Sequence, residues 1–273
     1  MVFTNVYKKE IKWNFISVII WISVFVGFCF LYIPMSDEVL KQNEDLMKLL
    51  EKMPQFLLQM FNFEAKVISE PEGLFGSEGM SFVYILSAIY ASMLAGSIFS
   101  KEFENKTIEY LFVKPGKRLT YFFSKASAMY TYIVLLSSVF TISTIQLFAV
   151  FVGGDYSNKV LLGFGIYALA VQVFFGSIAI LISVLTKKGS LNTAISIGLT
   201  IFMYFGDSLG RSFDHLKWMA KISIFHYIPL ADTVIDEKIF LGNSLIIMAI
   251  GGVVLLFSSW VFNNTDVSGM TLF

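Results

Sequence analysis

Residues able to do chemistry are scarce in this chain, and most of them gather in one connection. Between positions 100 and 125 the sequence reads SKEFENKTIEYLFVKPGKRLTYFFSK. Glu102, Lys106 and Glu109 stand near i, i+4 spacing, so a short helix would set them along one face. Tyr110, Leu111 and Phe112 follow, Pro115 and Gly116 break the helix, and Lys117 and Arg118 come next. A charged face beside an apolar group suits docking: charge pairs orient a partner while aromatic and aliphatic surface supplies contact area. Lysines snorkelling to headgroups would account for the basic residues alone. They would not account for Glu102, Glu104 and Glu109 standing among them.

Catalytic constellations are missing. The chain has no GxxxxGK[ST] loop to cradle ATP, no HExxH and no GxSxG elbow. Cys29 lies amid FVGFCFLYI and reads as inert packing or lipid-facing volume. His215 and His226 leave too few nitrogen ligands for a conventional zinc centre; His226, in FHYIP, reads as a loop anchor. The expectation is a non-catalytic chain with no metal and no cofactor of its own.

The elements that must position this connection are membrane helices. Hydrophobic residues make up 56% of the 273 and charged ones 15%, against roughly 25% charged in soluble domains. Twenty basic and twenty acidic side chains cancel, leaving no net field to recruit nucleic acid. Windows at 14–33, 81–100, 127–152, 161–186, 190–207 and 242–262 are almost free of charge, and about 20 apolar residues suffice to cross the hydrocarbon core. Runs such as YIVLL are apolar all round, which excludes the alternating pattern of a β-barrel. The expected fold is an all-α integral membrane protein, a six-helix bundle in one domain over 1–273. An outer helical connection fills 34–80, a cytoplasmic coupling connection 101–125, and an outer or re-entrant connection 208–241.

Details within these segments carry further expectations. In 36–53, Val39, Leu46, Leu50 and Met53 share one helical face, with Ser36 as the cap and Pro54 as the interruption. In the second span Ala88, Ser92 and Gly96 recur every four residues, a row suited to close approach between helices or between two chains. The spans hold almost no ionisable side chain, so coupling to a proton or sodium gradient lacks an evident group.

Charge sets the orientation. The N-terminal segment, the second-to-third connection and the Lys187-Lys188 link together carry eleven basic residues in short stretches. The opposite side carries nine basic and fifteen acidic residues. The positive-inside bias places both termini in the cytoplasm.

The order of motifs resembles the type-2 (ABC-2) family of ABC transporter permeases, bacterial and exporter-like. Members carry a Glu after the second span, usually Gly-Thr, another Glu, apolar residues, a Pro a few places before Arg, and a Lys leading into the third span. Here Glu102, Thr107, Glu109, Leu111, Pro115, Arg118 and Lys125 occupy those places. Lys106 stands where Gly commonly precedes the Thr, and Gly116-Lys117 where a hydrophobic-Ser pair is common. The resemblance extends over nearly the whole length, through VYKKEIKWN at the start, KKG, FHYIPL, and a C-terminal FNNTD in which Asn263 and Asn264 replace frequent basic residues.

The resemblance implies a permease in the cell membrane that builds a translocation route with a second, identical or related, permease chain. Separate ABC ATPase subunits would bind ATP and Mg, and membrane lipid would surround the spans. The ATPase would receive Glu102, Thr107, Glu109, Tyr110, Leu111, Pro115 and Arg118, and an N-terminal interfacial helix around Lys9, Lys12 and Trp13 would lie beside them. Glu102 and Glu109 would then serve the partner, without a structural need of their own. An amphiphilic peptide or hydrophobic toxic compound suits the uncharged, aromatic-rich spans. The alternative is a non-transporting membrane anchor or regulatory subunit with the same fold.

The topology has a direct test. A cysteine introduced near Asn43 should react with an impermeant thiol reagent on whole cells, and one near Lys117 should not. Labelling of both from outside would overturn the six-span arrangement with both ends inside.

Overall fold

Forty residues, Val2–Lys41, form one unbroken helix, α1, about 60 Å long. The structure is a computed structural model and describes residues 2–41, 71–108 and 116–265. The expected cap at Ser36 is not formed. The helix runs through Pro34, and the Ser36 hydroxyl donates to the carbonyl of Ile33 at 2.8 Å. Proline withdraws one backbone donor, a loss that long membrane helices absorb when the neighbouring groups keep their partners. Most of the expected outer connection, including Leu46, Leu50, Met53 and Pro54, lies outside the described residues.

Helix α2 (Pro71–Glu104) follows, with π-helical turns at Phe75–Gly79 and Gly96–Ser100. Next come α3 (Arg118–Phe151), α4 (Asn158–Thr186) and α5 (Gly189–Ser212). A run of short turns, with α6 (Lys217–Ile222) and α7 (Leu230–Ile235), leads to α8 (Leu241–Asn264). The described residues contain no strand.

Among the described residues five helices, α1 to α4 and α8, are long and apolar enough to cross a membrane. Helix α5 covers the expected fifth span and is 24 residues long, but it carries its amphipathicity inside out. Asn192, Ser196, Thr200 and Asp207 are buried on one side, while Leu191, Ile195, Phe202 and Phe205 are exposed on the other. Asn192 donates its side-chain amide to the carbonyl of Ser92 on α2 at 3.0 Å.

That contact also locates the row of small residues. Ala88 and Ser92 are fully buried, and a methyl group on Gly96 would stand 3.3 Å from the Asn192 amide nitrogen. In this chain the row lies buried against α5. Helices α3 and α4 approach as closely: a Cβ on Gly165 would meet the Thr141 hydroxyl oxygen at 1.9 Å. Cys29 is buried, 3.6 Å from the Thr144 hydroxyl.

The segment between α5 and α8 folds back over one end of the bundle. Phe225 enters a nest of Tyr84, Phe175 and Tyr204, with ring centroids 5.1, 6.1 and 5.7 Å away. Asp207 holds Arg211 at 3.0 Å and the His226 imidazole at 3.2 Å. Tyr167 contacts Thr233 through its hydroxyl and accepts the Phe240 N–H.

The closeness of this cap to α5 is testable. A Cβ on Gly210 would lie 2.6 Å from the Ala220 Cβ and 2.7 Å from its backbone nitrogen, whereas Gly252 has nothing within 4 Å. Gly210→Ala should destabilise the detergent-solubilised protein by about 1–3 kcal/mol, read as a lower melting temperature. Gly252→Ala should leave it nearly unchanged.

Candidate functional site at the basic end

The other end of the bundle gathers the N-terminal turns of α1, the end of α2, the starts of α3 and α5, and the end of α8. At its centre is Lys125, 2% exposed on the second turn of α3. An ammonium group has three N–H donors, and each finds an acceptor: Glu10 Oε1 of α1 at 2.5 Å, Glu102 Oε1 of α2 at 3.0 Å and the Ile98 carbonyl at 3.0 Å. Glu10 is 2% exposed and Glu102 7%. The remaining Glu102 oxygen accepts from the Thr107 hydroxyl.

This corrects the expectation that Glu102 has no structural need. Removing it would strand a buried ammonium beside a single carboxylate, so it has a role inside the chain. Glu104 is employed locally as well. Its Oε1 accepts the Gly189 N–H at 2.8 Å and so satisfies an orphan donor at the first turn of α5. Glu109, Tyr110, Leu111 and Pro115 lie outside the described residues.

The end of α2 explains the Lys106-Thr107 pair. Lys106 N–H bonds the Phe103 carbonyl at 3.1 Å, Thr107 N–H bonds the Glu102 carbonyl at 3.0 Å, and Lys106 has φ +54°. This is a Schellman cap, whose left-handed residue favours glycine. The glycine common at that place therefore has a backbone reason, and Lys106 occupies a conformation that L-residues adopt at some cost. Thr107 then faces the carboxylate of the same cap.

Arg118 also turns inward. Its Nη1 donates to the carbonyls of Asn263 and Thr265, at 3.1 and 3.0 Å. These close α8, where a cation complements the negative end of the helix. The basic residues replaced by Asn263 and Asn264 thus have a substitute from α3. Beneath this layer Phe99, Phe103, Phe122 and Phe262 pack ring to ring, with neighbouring centroids 5.3 to 6.3 Å apart.

Lys9, Lys12 and Trp13 are exposed, and they belong to the opening turns of α1 itself, continuous with its apolar stretch rather than a separate interfacial element. Asn14 fixes that stretch by accepting the Ser97 hydroxyl at 2.6 Å, and Tyr132 donates to the Ile11 carbonyl. Sequence reasoning passed over Glu10 as a site residue, although one acid inside YKKEIKW was its signal. It placed Lys125 only as the lysine leading into the third span, without its buried partners.

Polar contacts thus tie five segments at this end, buried around Lys125 and at Asn192, and more exposed where Arg118 meets α8. The family model described as ABC-2 family transporter protein matches residues 4–267. The chain belongs to the ABC-2 family. Membership makes it a multi-pass membrane protein and the permease component of an ABC transporter, a generally non-catalytic part that associates with ABC ATPase subunits. Comparison with curated proteins and with solved structures found no match.

The junction predicts a non-additive pattern. Lys125→Met leaves two buried carboxylates facing each other and should destabilise by about 3–5 kcal/mol, seen as lost membrane abundance and lowered melting temperature. Adding Glu10→Gln and Glu102→Gln to that variant should recover much of the loss. Equal instability of single and triple variants would show that the ion cluster is not the controlling contact.

Proposed function

We propose that this chain is the membrane-spanning permease of an ATP-driven exporter. With a second, identical or related, permease chain it forms the route, and separate ATPase subunits drive it with ATP and Mg. The observation that carries this reading is the three-way tie of Lys125 to Glu10 and Glu102. A stretch seated in an ATPase cleft moves helices only if its roots are rigidly joined to them. Here the 109–115 stretch leaves α2 one residue beyond Ile108, which is 1% exposed, and enters α3 at Arg118, which grips α8. Closure of the ATPase would thus reach α1, α2, α3 and α8 together, and it would supply the differential contacts that shift a two-state equilibrium.

The six-span arrangement is supported by the inside-out α5, whose exposed side is apolar. The start of α1, the described parts of the connection (101–108 and 116–125), the 187–188 link and the end of α8 share one end of the bundle, as an even number of crossings requires. Their basic residues favour the cytoplasmic side of a bacterial cell membrane. Within the coupling stretch, Glu109 orients by charge while Tyr110 and Leu111 give contact area before the turn at Pro115. An amphiphilic peptide or hydrophobic toxic compound is the substrate class that suits the aromatic, uncharged spans.

Because Glu102 is structural, Glu109 carries the test. In vesicles holding the permease with its ATPase, Glu109→Lys should abolish transport and depress substrate-stimulated ATP hydrolysis while membrane abundance stays near normal. Reversal inside a desolvated cleft costs roughly 2–5 kcal/mol, against about 0–1 kcal/mol for a solvated residue. Glu102→Lys should instead lower abundance. Normal transport by Glu109→Lys at matched abundance would reduce the stretch to a solvated connection, and ATP hydrolysis by the purified chain alone would overturn the division of labour.

A further inference from the structure

Beside the buried ion cluster lies a cleft of 480 Å³ between the first turns of α1 and the end of α2. Lys9 and Lys12 enter it from α1, and Lys101 and Asn105 from α2. Trp13 stands among them, with the Lys9 ammonium 4.0 Å from its ring centre and the Lys101 ammonium 4.6 Å away. Two cations thus share one aromatic ring and a third lines the same space. Glu102 also borders the cleft, but its two oxygens are held by Lys125 and Thr107. Among the described residues no carboxylate pairs with Lys9, Lys12 or Lys101. Three positive charges from two helices converge, and the one carboxylate bordering them, Glu102, attracts Lys9 but is already bonded to Lys125 and Thr107.

We propose that this cleft binds the phosphodiester of an anionic membrane lipid. Its volume lies within the roughly 300–1,000 Å³ of small-molecule sites. Three ammonium groups and the Asn105 amide offer donors to an anion, and the indole ring gives an amphipathic wall of the kind found at headgroup level. The depth is set by α1. One turn beyond Trp13 its surface turns apolar and exposed at Phe15, Ile16, Ile19 and Ile20. A phosphate in the cleft therefore has its acyl chains beside that surface, which selects a lipid over free phosphate. The lipid would bridge α1 to the end of α2, beside the Lys125 cluster and on its open side. The site needs only the membrane surface and stands apart from the exporter reading.

The test uses the full chain in native mass spectrometry and thermal melting, with phosphatidylglycerol, phosphatidylcholine and inorganic phosphate as separate probes. The wild-type chain should retain one phosphatidylglycerol more tightly than any phosphatidylcholine, and its melting temperature should rise with phosphatidylglycerol alone. Replacing Lys9, Lys12 and Lys101 together by Gln should weaken that binding at least about tenfold, while Lys→Arg at the same positions should keep it. Equal retention of the two lipids by the wild-type chain would overturn the proposal, and that arm needs no variant to fold. So would a rise in melting temperature as large with inorganic phosphate. Loss of ATPase assembly in the Gln variant without any change in lipid retention would assign the lysines to a protein partner, and overturn it likewise.

Discussion

A single buried ammonium group organises one end of this bundle. Moving an ion out of water costs several kcal/mol even after the protein relaxes, and only close, complete pairing repays it. Lys125 is completely paired: two carboxylates from different helices and one backbone carbonyl take its three protons. Such clusters contribute little net stability compared with a packed apolar substitute. Their effect is positional. Only one axial setting of α1 and α2 against α3 brings both carboxylates within reach, so the ion fixes how three long, otherwise slippery apolar helices stand relative to one another.

The contacts around it extend the same principle to the rest of the end. Arg118 closes α8 by its carbonyls, and Glu104 opens α5 by its first amide. Both are side chains of the 101–125 connection serving the termini of distant helices, where backbone groups would otherwise lack partners. The connection is therefore part of the framework over the stretches that are described. The opposite end is held differently, by Phe225 seated among aromatic rings and by Asp207 gathering Arg211 and His226.

The apolar windows were legible because lipid imposes a length and a composition that few other environments share. The internal pairing of Glu102 was not, because a carboxylate in a basic connection looks the same whether it faces water, a partner or a buried lysine 23 positions away. Glu10 hid for the same reason. The cap expected at Ser36 failed because local signals for a helix start compete with a ladder already running, and α1 carried on through Pro34. Lys106 is the converse case. Its departure from the family pattern was visible in the sequence, but the left-handed backbone that gives the departure meaning was not. His226 as a loop anchor was readable, though its partner Asp207 was not.

The inside-out helix α5 bears on how the chain enters the bilayer. In its polar row Ser196 and Thr200 bond back into the helix itself, but Asn192 reaches the Ser92 carbonyl of α2 and Asp207 the His226 imidazole, so α5 gains from neighbours what lipid alone does not offer. Only Lys187 and Lys188 separate it from the strongly apolar α4. On the six-span reading, the two leave as a hairpin in which α4 supplies the partition energy, and α5 waits for α2, synthesised long before, to receive the Asn192 amide.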